Sequence, residues 1–504
     1  MVRSVTILSV VVWVVAPAAM NGCATLPACP AHGGPVWREL SSPHFTLRTD
    51  QDESDARTTI DRLEEVRAAM LSAVWAAAGD PPIRTEAIVL RSRREFEAFQ
   101  GDAAATFPID GLRASLPPFP SAIVLGGTDG RSFRVLNHEL AHDISYWFIP
   151  IQPSWYAEGV AKYLETITAD RSTGVTQVGR PSPDRVAVRP IDQPIDARAL
   201  LDDRFSTTRN PNLEWFERRA WLLVHYLVTQ RPTEFNRLQV ALQELKPTPV
   251  AWAQALPDLP VDKLDQVLDD YARNDAYRVV QRPFVSAPPA VASRVMTDAE
   301  VHSTRARLLQ MMPMGQPDPQ AVKGELAEAR AADPSNVEAL AYQIAWFTAP
   351  ADRASWAGEA ARVAAAHPDD WRAWLAVDLT ASSDAARRAA LVRALALSPD
   401  QPAVLAQLAV LDLAARRPDQ ALLFADKGMS AHEQLWLFVL VRLQAQVMLG
   451  HCAEAAGLAD IVRARAPADV AERLDQQWPH LQATCAKKTT TDASQPATAP
   501  PPPN

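Results

Sequence analysis

Along the first third of the chain, apolar residues switch between two spacings. His44-Phe45-Thr46-Leu47-Arg48 alternates with period two and predicts a strand, and Ala87-Ile88-Val89-Leu90 and Ala122-Ile123-Val124-Leu125 predict two more. Asp55 to Ala78 has the wider spacing of an amphipathic helix, stopped by Gly79-Asp80-Pro81-Pro82, and Arg94 to Phe99 predicts a shorter helix. From Ser132 onward almost every stretch reads as helix. Strands first and helices after predict an α+β layout with a small N-terminal sheet.

The later helices recur. Pro334, Pro368 and Pro399 are spaced by 34 and 31 residues, and at +5 and +6 each is followed by Ala339-Leu340, Ala373-Trp374 or Val404-Leu405. In another register, Arg417-Pro418-Asp419-Gln420-Ala421 and Cys452-Ala453-Glu454-Ala455 place matching alanines 34 residues apart. This period, with its small residues and closing Pro, resembles tetratricopeptide repeats over roughly Val322 to Ala466, with most of the Gly positions missing. An unspecific helical array is the alternative. Pro283 to Ser293, with Pro288-Pro289 inside it, reads as a linker between the halves.

One motif between sheet and repeats carries chemistry: His138-Glu139-Leu140-Ala141-His142. Residues four apart on a helix lie about 40° apart around the axis and one turn along it. Two imidazoles so placed reach one Zn²⁺, and the Glu between them reaches its bound water. Phe133, Leu136, Leu140, Ile144 and Trp147 form the apolar stripe of this helix, and the two His fall on roughly the opposite side. Zinc requires a third protein ligand and an open position for water.

Downstream comes Pro153-Ser154-Trp155-Tyr156-Ala157-Glu158-Gly159-Val160-Ala161-Lys162-Tyr163-Leu164-Glu165. A W-x-x-E-G on a second helix shortly after HExxH resembles the bacterial peptidase MA-like gluzincins, a branch of the thermolysin-like zinc metallopeptidases. The strand Ser42 to Leu47 and the helix Ala220 to Leu227 also resemble that domain, and the likeness covers about Trp37 to Tyr277. It implies Glu158 as third ligand beside His138 and His142, with Glu139 as general base. Read locally, Glu158 and Lys162 form instead an i,i+4 ion pair on the helix surface. Glu165, seven residues on, returns to nearly the same face, either holding a ligand His or standing solvated. Related zincins stabilise the oxyanion with a Tyr or His; His225, Tyr226 and Tyr163 are the candidates here.

Composition narrows the alternatives. The chain has 504 residues, a net charge of −9, and 42 Pro against 18 Gly. The acidic balance excludes a general nucleic-acid binder. The nearest approach to a phosphate loop, Gly126-Gly127-Thr128-Asp129-Gly130-Arg131-Ser132, lacks the first Gly spacing and the Lys of a P-loop.

The N-terminus reads as an export signal: Arg3, then the apolar run Val5 to Val15, too short for a permanent span. Met20-Asn21-Gly22-Cys23-Ala24 resembles the lipobox of bacterial lipoproteins, with Met where Leu is usual and Cys23 as the lipidated residue; ordinary cleavage near Ala16-Pro17-Ala18 is the alternative. In an oxidising envelope Cys452 and Cys485 are free to pair, or they are two unrelated thiols; Cys29 has Cys23 as a partner only if the latter carries no lipid. Lys487 to Asn504 predicts a disordered tail.

The expected organisation is therefore a signal peptide (1–22), a tether (23–36), a zincin-like α+β domain (37–283), a linker (284–299), an all-α TPR-like repeat domain (300–486) and a tail (487–504). The expected function is an exported zinc metallopeptidase of the bacterial envelope. Its only membrane contact is a lipid anchor on Cys23, or none if it is soluble in the periplasm. Peptide or protein is the substrate, and a substrate or protein partner binds the repeats. The alternatives are a catalytically silent adaptor working through its repeats, and a zinc hydrolase acting on a non-peptide amide.

Overall fold

A computed structural model describes residues 26–493, apart from 77, 83, 102–103, 105–108, 117, 183–195, 205–212, 274–277, 313–316 and 430–434, with the backbone alone at 115 and 489–493. The expected signal segment, Cys23 and the end of the tail lie outside the described residues. The chain is α+β. Strands β1 (Arg38–Ser41), β2 (Phe45–Thr49) and β3 (Thr85–Val89) are followed by β4 (Gly111–Leu116) and β5 (Phe119–Leu125), with helices α1 (Glu53–Val74) and α2 (Arg93–Gln100) between them. Next come α3 (Gly130–Phe148), α4 (Ser154–Leu164), β6 (Thr168–Asp170), β7 (Val175–Val178) and α5 (Ala197–Leu200). Then follow α6 (Leu213–Gln230), α7 (Pro232–Gln243), α8 (Thr248–Ala255), α9 (Val261–Arg273), β8 (Val280–Pro283) and β9 (Ala292–Val295).

The main sheet has the order β4-β5-β3-β2-β1-β9. β2, β3 and β5 run parallel at its centre, and β4, β1 and β9 join antiparallel. Alternate residues of a strand point to opposite faces, and here both faces are buried. Phe45, Leu47, Ala87, Val89, Ile123 and Leu125 pack with α1, α3 and α6 in one core. Ile88, Leu90, Ala122 and Val124 pack in a second core with the C-terminal helices. That is why β3 and β5 read as unbroken apolar runs, whereas β2 alternates, with Thr46 and Arg48 on its other face.

The C-terminal half is a helical array: α10 (Asp298–Met311), α11 (Pro319–Ala332), α12 (Val337–Phe347), α13 (Ala357–Ala366), α14 (Trp371–Thr380) and α15 (Asp384–Leu397). It continues with α16 (Pro402–Ala414), α17 (Pro418–Gly428), α18 (Leu435–Leu449), α19 (Cys452–Arg465) and α20 (Ala468–Ala493). Pro334, Pro368 and Pro399 each fall in the turn between two consecutive helices, where a missing N–H disturbs no helical ladder. Ala421 and Ala455, at the same place in α17 and α19, are both buried. Cys452 and Cys485 are joined by a disulfide with Cα atoms 5.8 Å apart, tying α19 to α20. Cys29 is a buried free thiol beside His32 Nδ1 at 3.1 Å. Among the described residues no helix is long and apolar enough to cross a membrane.

Three expectations are corrected. The stretch 284–299 is not a free linker: β9 lies inside it and pairs with β1, and Met296 N–H donates to Trp37 O at 2.9 Å. Its prolines hid a four-residue edge strand that pairs only because the tertiary fold delivers it. The region after Ser132 is not all helix, because β6, β7 and β8 form a small antiparallel sheet. Finally, α20 continues to Ala493, past the expected start of the tail, since an established helix propagates at little cost per residue.

Candidate metal centre

Helix α3 begins where β5 ends. The Asp129 carboxylate accepts from the N–H groups of Arg131 and Ser132, satisfying two donors of the first turn. Its stripe of Phe133, Leu136, Leu140 and Ile144 is buried against the sheet. Asp143 pairs with Arg113 Nε (2.8 Å) and accepts from Thr85 Oγ1 (3.1 Å), which fastens the helix to β4 and β3. The face left over carries His138 and His142, and α4 covers it.

Helix α4 lies close to α6 because Gly159 has no side chain. A Cβ there would stand 2.7 Å from Ala220 O and from Val224 Cγ2. Tight seating on α6 turns the neighbouring Glu158 towards α3. His138 Nε2 and His142 Nε2 are 3.1 Å apart, and Glu158 lies 3.6 Å from the first and 3.9 Å from the second. Ligand bonds of about 2.0–2.2 Å in a tetrahedral array separate donor atoms by about 3.3–3.6 Å. Among the described residues, His138, His142 and Glu158 form the one cluster whose donors lie close enough to share an ion.

The charges around it suit a cation. Burial pushes the Glu158 carboxyl above its ordinary value, against the pull of His138 and, more weakly, of the Lys162 charge, and Glu217 and Glu139 push the same way as burial. Lys162 does not pair with Glu158. Its Nζ binds Glu165 Oε2 at 2.8 Å and Glu217 Oε2 at 3.3 Å, so the i,i+4 pair on the helix surface, the alternative reading, does not form. Glu165 is not a solvated carboxylate either. Burial pushes its pKa up, but His138 and Lys162 outweigh this and hold it well below the usual range. Its Oε2 faces His138 Nδ1 at 3.6 Å, and its backbone carbonyl accepts from Asn137 Nδ2 at 3.0 Å. Two acceptors of Glu165, at the end of α4, are thus turned to the HExxH helix.

The three expected oxyanion candidates sit elsewhere. Tyr163 is five residues past Glu158, about 140° around α4, and its ring packs on His225 at 5.6 Å. His225 Nδ1 shares a 2.8 Å hydrogen bond with the Tyr271 hydroxyl, and burial pushes its pKa down to about 4. Tyr226 packs edge-on against Tyr271 at 5.3 Å. These rings fill the core between α4, α6 and α9. Aromatic residues on a helix advertise burial as readily as catalysis, and the sequence carries nothing to separate the two.

Tyr146 joins the site without having been expected there. Its ring lies 6.1 Å from that of His142. Burial, with Glu158 next, raises its hydroxyl pKa and keeps it a donor, and the Glu139 charge acts on it as well. The signal available is its spacing: His138, His142 and Tyr146 step along one helix face at i, i+4 and i+8. A cavity of about 860 Å³ opens on another flank of α3, between Trp75, Trp147, Phe148, Phe235 and Gln239, and includes neither His nor Glu158. Comparison of the chain with protein-family models, curated proteins and solved structures returned no match.

Proposed function

We propose that the chain is a zinc-dependent peptidase of the gluzincin type, with a zincin-like N-terminal half and a TPR-like array. It is exported to the bacterial envelope and anchored through a lipid on Cys23. The observation behind this is the convergence of His138, His142 and Glu158 from two helices, at 3.1 to 3.9 Å, beside Glu139 of the same motif. Two imidazoles and a carboxylate are donors that zinc accepts, and three protein ligands leave a position for water. A zinc ion held there would lower the pKa of water and polarise a carbonyl.

The chain's own groups supply the rest. Glu139 accepts the proton of the attacking water and delivers it to the leaving amine. Tyr146 remains protonated and offers its hydroxyl to the charge growing on the carbonyl oxygen. Glu165, fixed by Lys162, orients His138 through Nδ1. The array offers an extended surface for the substrate polypeptide.

Purified full-length protein is expected to hold about one zinc per chain and to cleave a broad peptide library. Glu139→Gln keeps the zinc and loses hydrolysis; Tyr146→Phe lowers kcat with little change in KM; Glu158→Ala loses zinc. Zinc retained with no hydrolysis by the wild type points to the adaptor instead. Full zinc content in Glu158→Ala refutes the ligand assignment.

A further inference from the structure

The turn between the two ligand helices belongs to two cores at once. Ile149 packs in the N-terminal core, whereas Ile151, two residues on and 1% exposed, packs with Leu405, Ala406, Ala409 and Phe438 of the array. The geometry of this five-residue turn sets how far Glu158 on α4 stands from His138 and His142 on α3.

One array side chain holds it. Arg465, the last residue of α19, has a side chain only 2% exposed, and its guanidinium forks three ways. Nη1 donates to Ile151 O at 2.8 Å; Nη2 donates to Asp203 Oδ2 at 3.1 Å and Lys246 O at 3.0 Å. Asp203 passes the connection on, accepting from the Thr248 N–H (3.0 Å) and the Thr248 hydroxyl. The Thr248 hydroxyl faces Trp155 Nε1 at 3.4 Å. Trp155 is fully buried on α4, three residues and nearly one turn before Glu158. Arg465 therefore reaches the Glu158 helix by two routes, through the turn that precedes it and through its first-turn Trp. A planar, always-charged fork satisfies a carboxylate and two carbonyls together, which an ammonium on a flexible stem does not reproduce.

We infer that Arg465 is a positioning residue for the metal centre, so that the helical array sets the spacing of the ligands as well as offering a surface. This rests on the metal reading of His138, His142 and Glu158. The Arg465 guanidinium binds Ile151, Asp203 and Lys246 and none of the three ligands, so it acts through the Ile151 turn and, by way of Asp203 and Thr248, through Trp155.

The test uses the full-length chain and two readouts besides hydrolysis: zinc affinity by competition with a chelating dye, and the visible absorption of the Co²⁺-loaded protein. Loss of a group hydrogen-bonded directly to a metal ligand weakens binding by about 10–100-fold. Arg465→Met, acting at one remove from the ligands, is expected to weaken zinc binding at the lower end of that range, about 10-fold, and to shift the Co²⁺ spectrum. Arg465→Lys should fall between Met and wild type, and Trp155→Phe should move both readouts the same way by less. Arg473→Met, which removes an exposed arginine of α20, should leave them at wild-type values. Folded Arg465→Met with wild-type affinity and spectrum overturns the inference. If Arg465→Met fails to fold, unchanged affinity and spectrum in both Arg465→Lys and Trp155→Phe overturn it equally. A wild type that binds neither metal is a different result and removes the metal reading itself.

Discussion

Replacing Glu338 by alanine removes the anion through which the array grips the sheet. Glu338 lies in the first turn of α12, and Arg48 reaches it from β2 with a two-pronged contact, Nη2–Oε1 at 2.7 Å and Nη1–Oε2 at 3.0 Å. Arg372 of α14 binds the same carboxylate. The Arg48 and Glu338 side chains are 8% and 7% exposed, so water replaces little of what is lost. Stripping one partner from a buried pair costs about 3–5 kcal/mol. Arg48 keeps Glu39 at 3.1 Å and Glu86 at 3.6 Å, and Arg372 keeps Asp370 at 2.7 Å, which places the expected loss near the lower end, about 3 kcal/mol. Urea unfolding at neutral pH, followed by far-UV circular dichroism, measures it.

The pH dependence has a definite sign. Burial raises the Glu338 pKa, but Arg48 and Arg372 outweigh it and hold the carboxyl well below its ordinary value of 4.5. A group depressed by folding stabilises the protein above its unfolded pKa, and that stabilisation fades as pH falls through the folded value. Wild type should therefore lose stability more steeply than Glu338→Ala below about pH 4.5, and the two curves should converge in acid. A loss under about 1 kcal/mol at pH 7, or parallel acid slopes, would refute the account of how the halves are joined.

Two further outcomes follow from single contacts. Gly159→Ala drives a methyl into Ala220 O and Val224 Cγ2, each 2.7 Å from the new Cβ. Overpacking of this kind costs about 1–3 kcal/mol, and α4 must slide on α6, so urea unfolding should show the loss and dye competition weaker zinc binding; unchanged values in both count against the tight seating. Breaking the Cys452–Cys485 bond by Cys485→Ser opens a loop spanning a sequence separation of 33. The chain-entropy estimate is about 4 kcal/mol, read as a gap between wild type and variant that disappears when reductant is added to both.

Much of the candidate metal site is legible in the sequence itself. The i,i+4 spacing of His138 and His142 is a property of any α-helix, so their convergence needs no tertiary information. Glu158 is readable through its resemblance to a known motif, and Gly159 through its rarity in a Gly-poor chain. The spacing that marks the two His extends to Tyr146, but a Tyr one turn further along a helix is equally at home in a core. The places of Tyr163 and His225 are not readable, because which face of α4 meets α3 and which meets α6 depends on the crossing of three helices. Among the central strands β2 is legible by its alternation and β3 and β5 as apolar runs, whereas β1 and β9 have no apolar pattern apart from the partners that complete them.

Local periodicity, the proline punctuation of the array and the pairing of His138 with His142 on one helix face were determined by the sequence alone, since each depends on neighbours within a few residues. The tertiary structure decided that the array covers the second face of the sheet, that Glu338 meets Arg48 across 290 residues, and that Arg465 holds the Ile151 turn across 314. Those contacts arise only when distant buried groups find the partners that burial obliges them to have, and no local pattern encodes which partner that is.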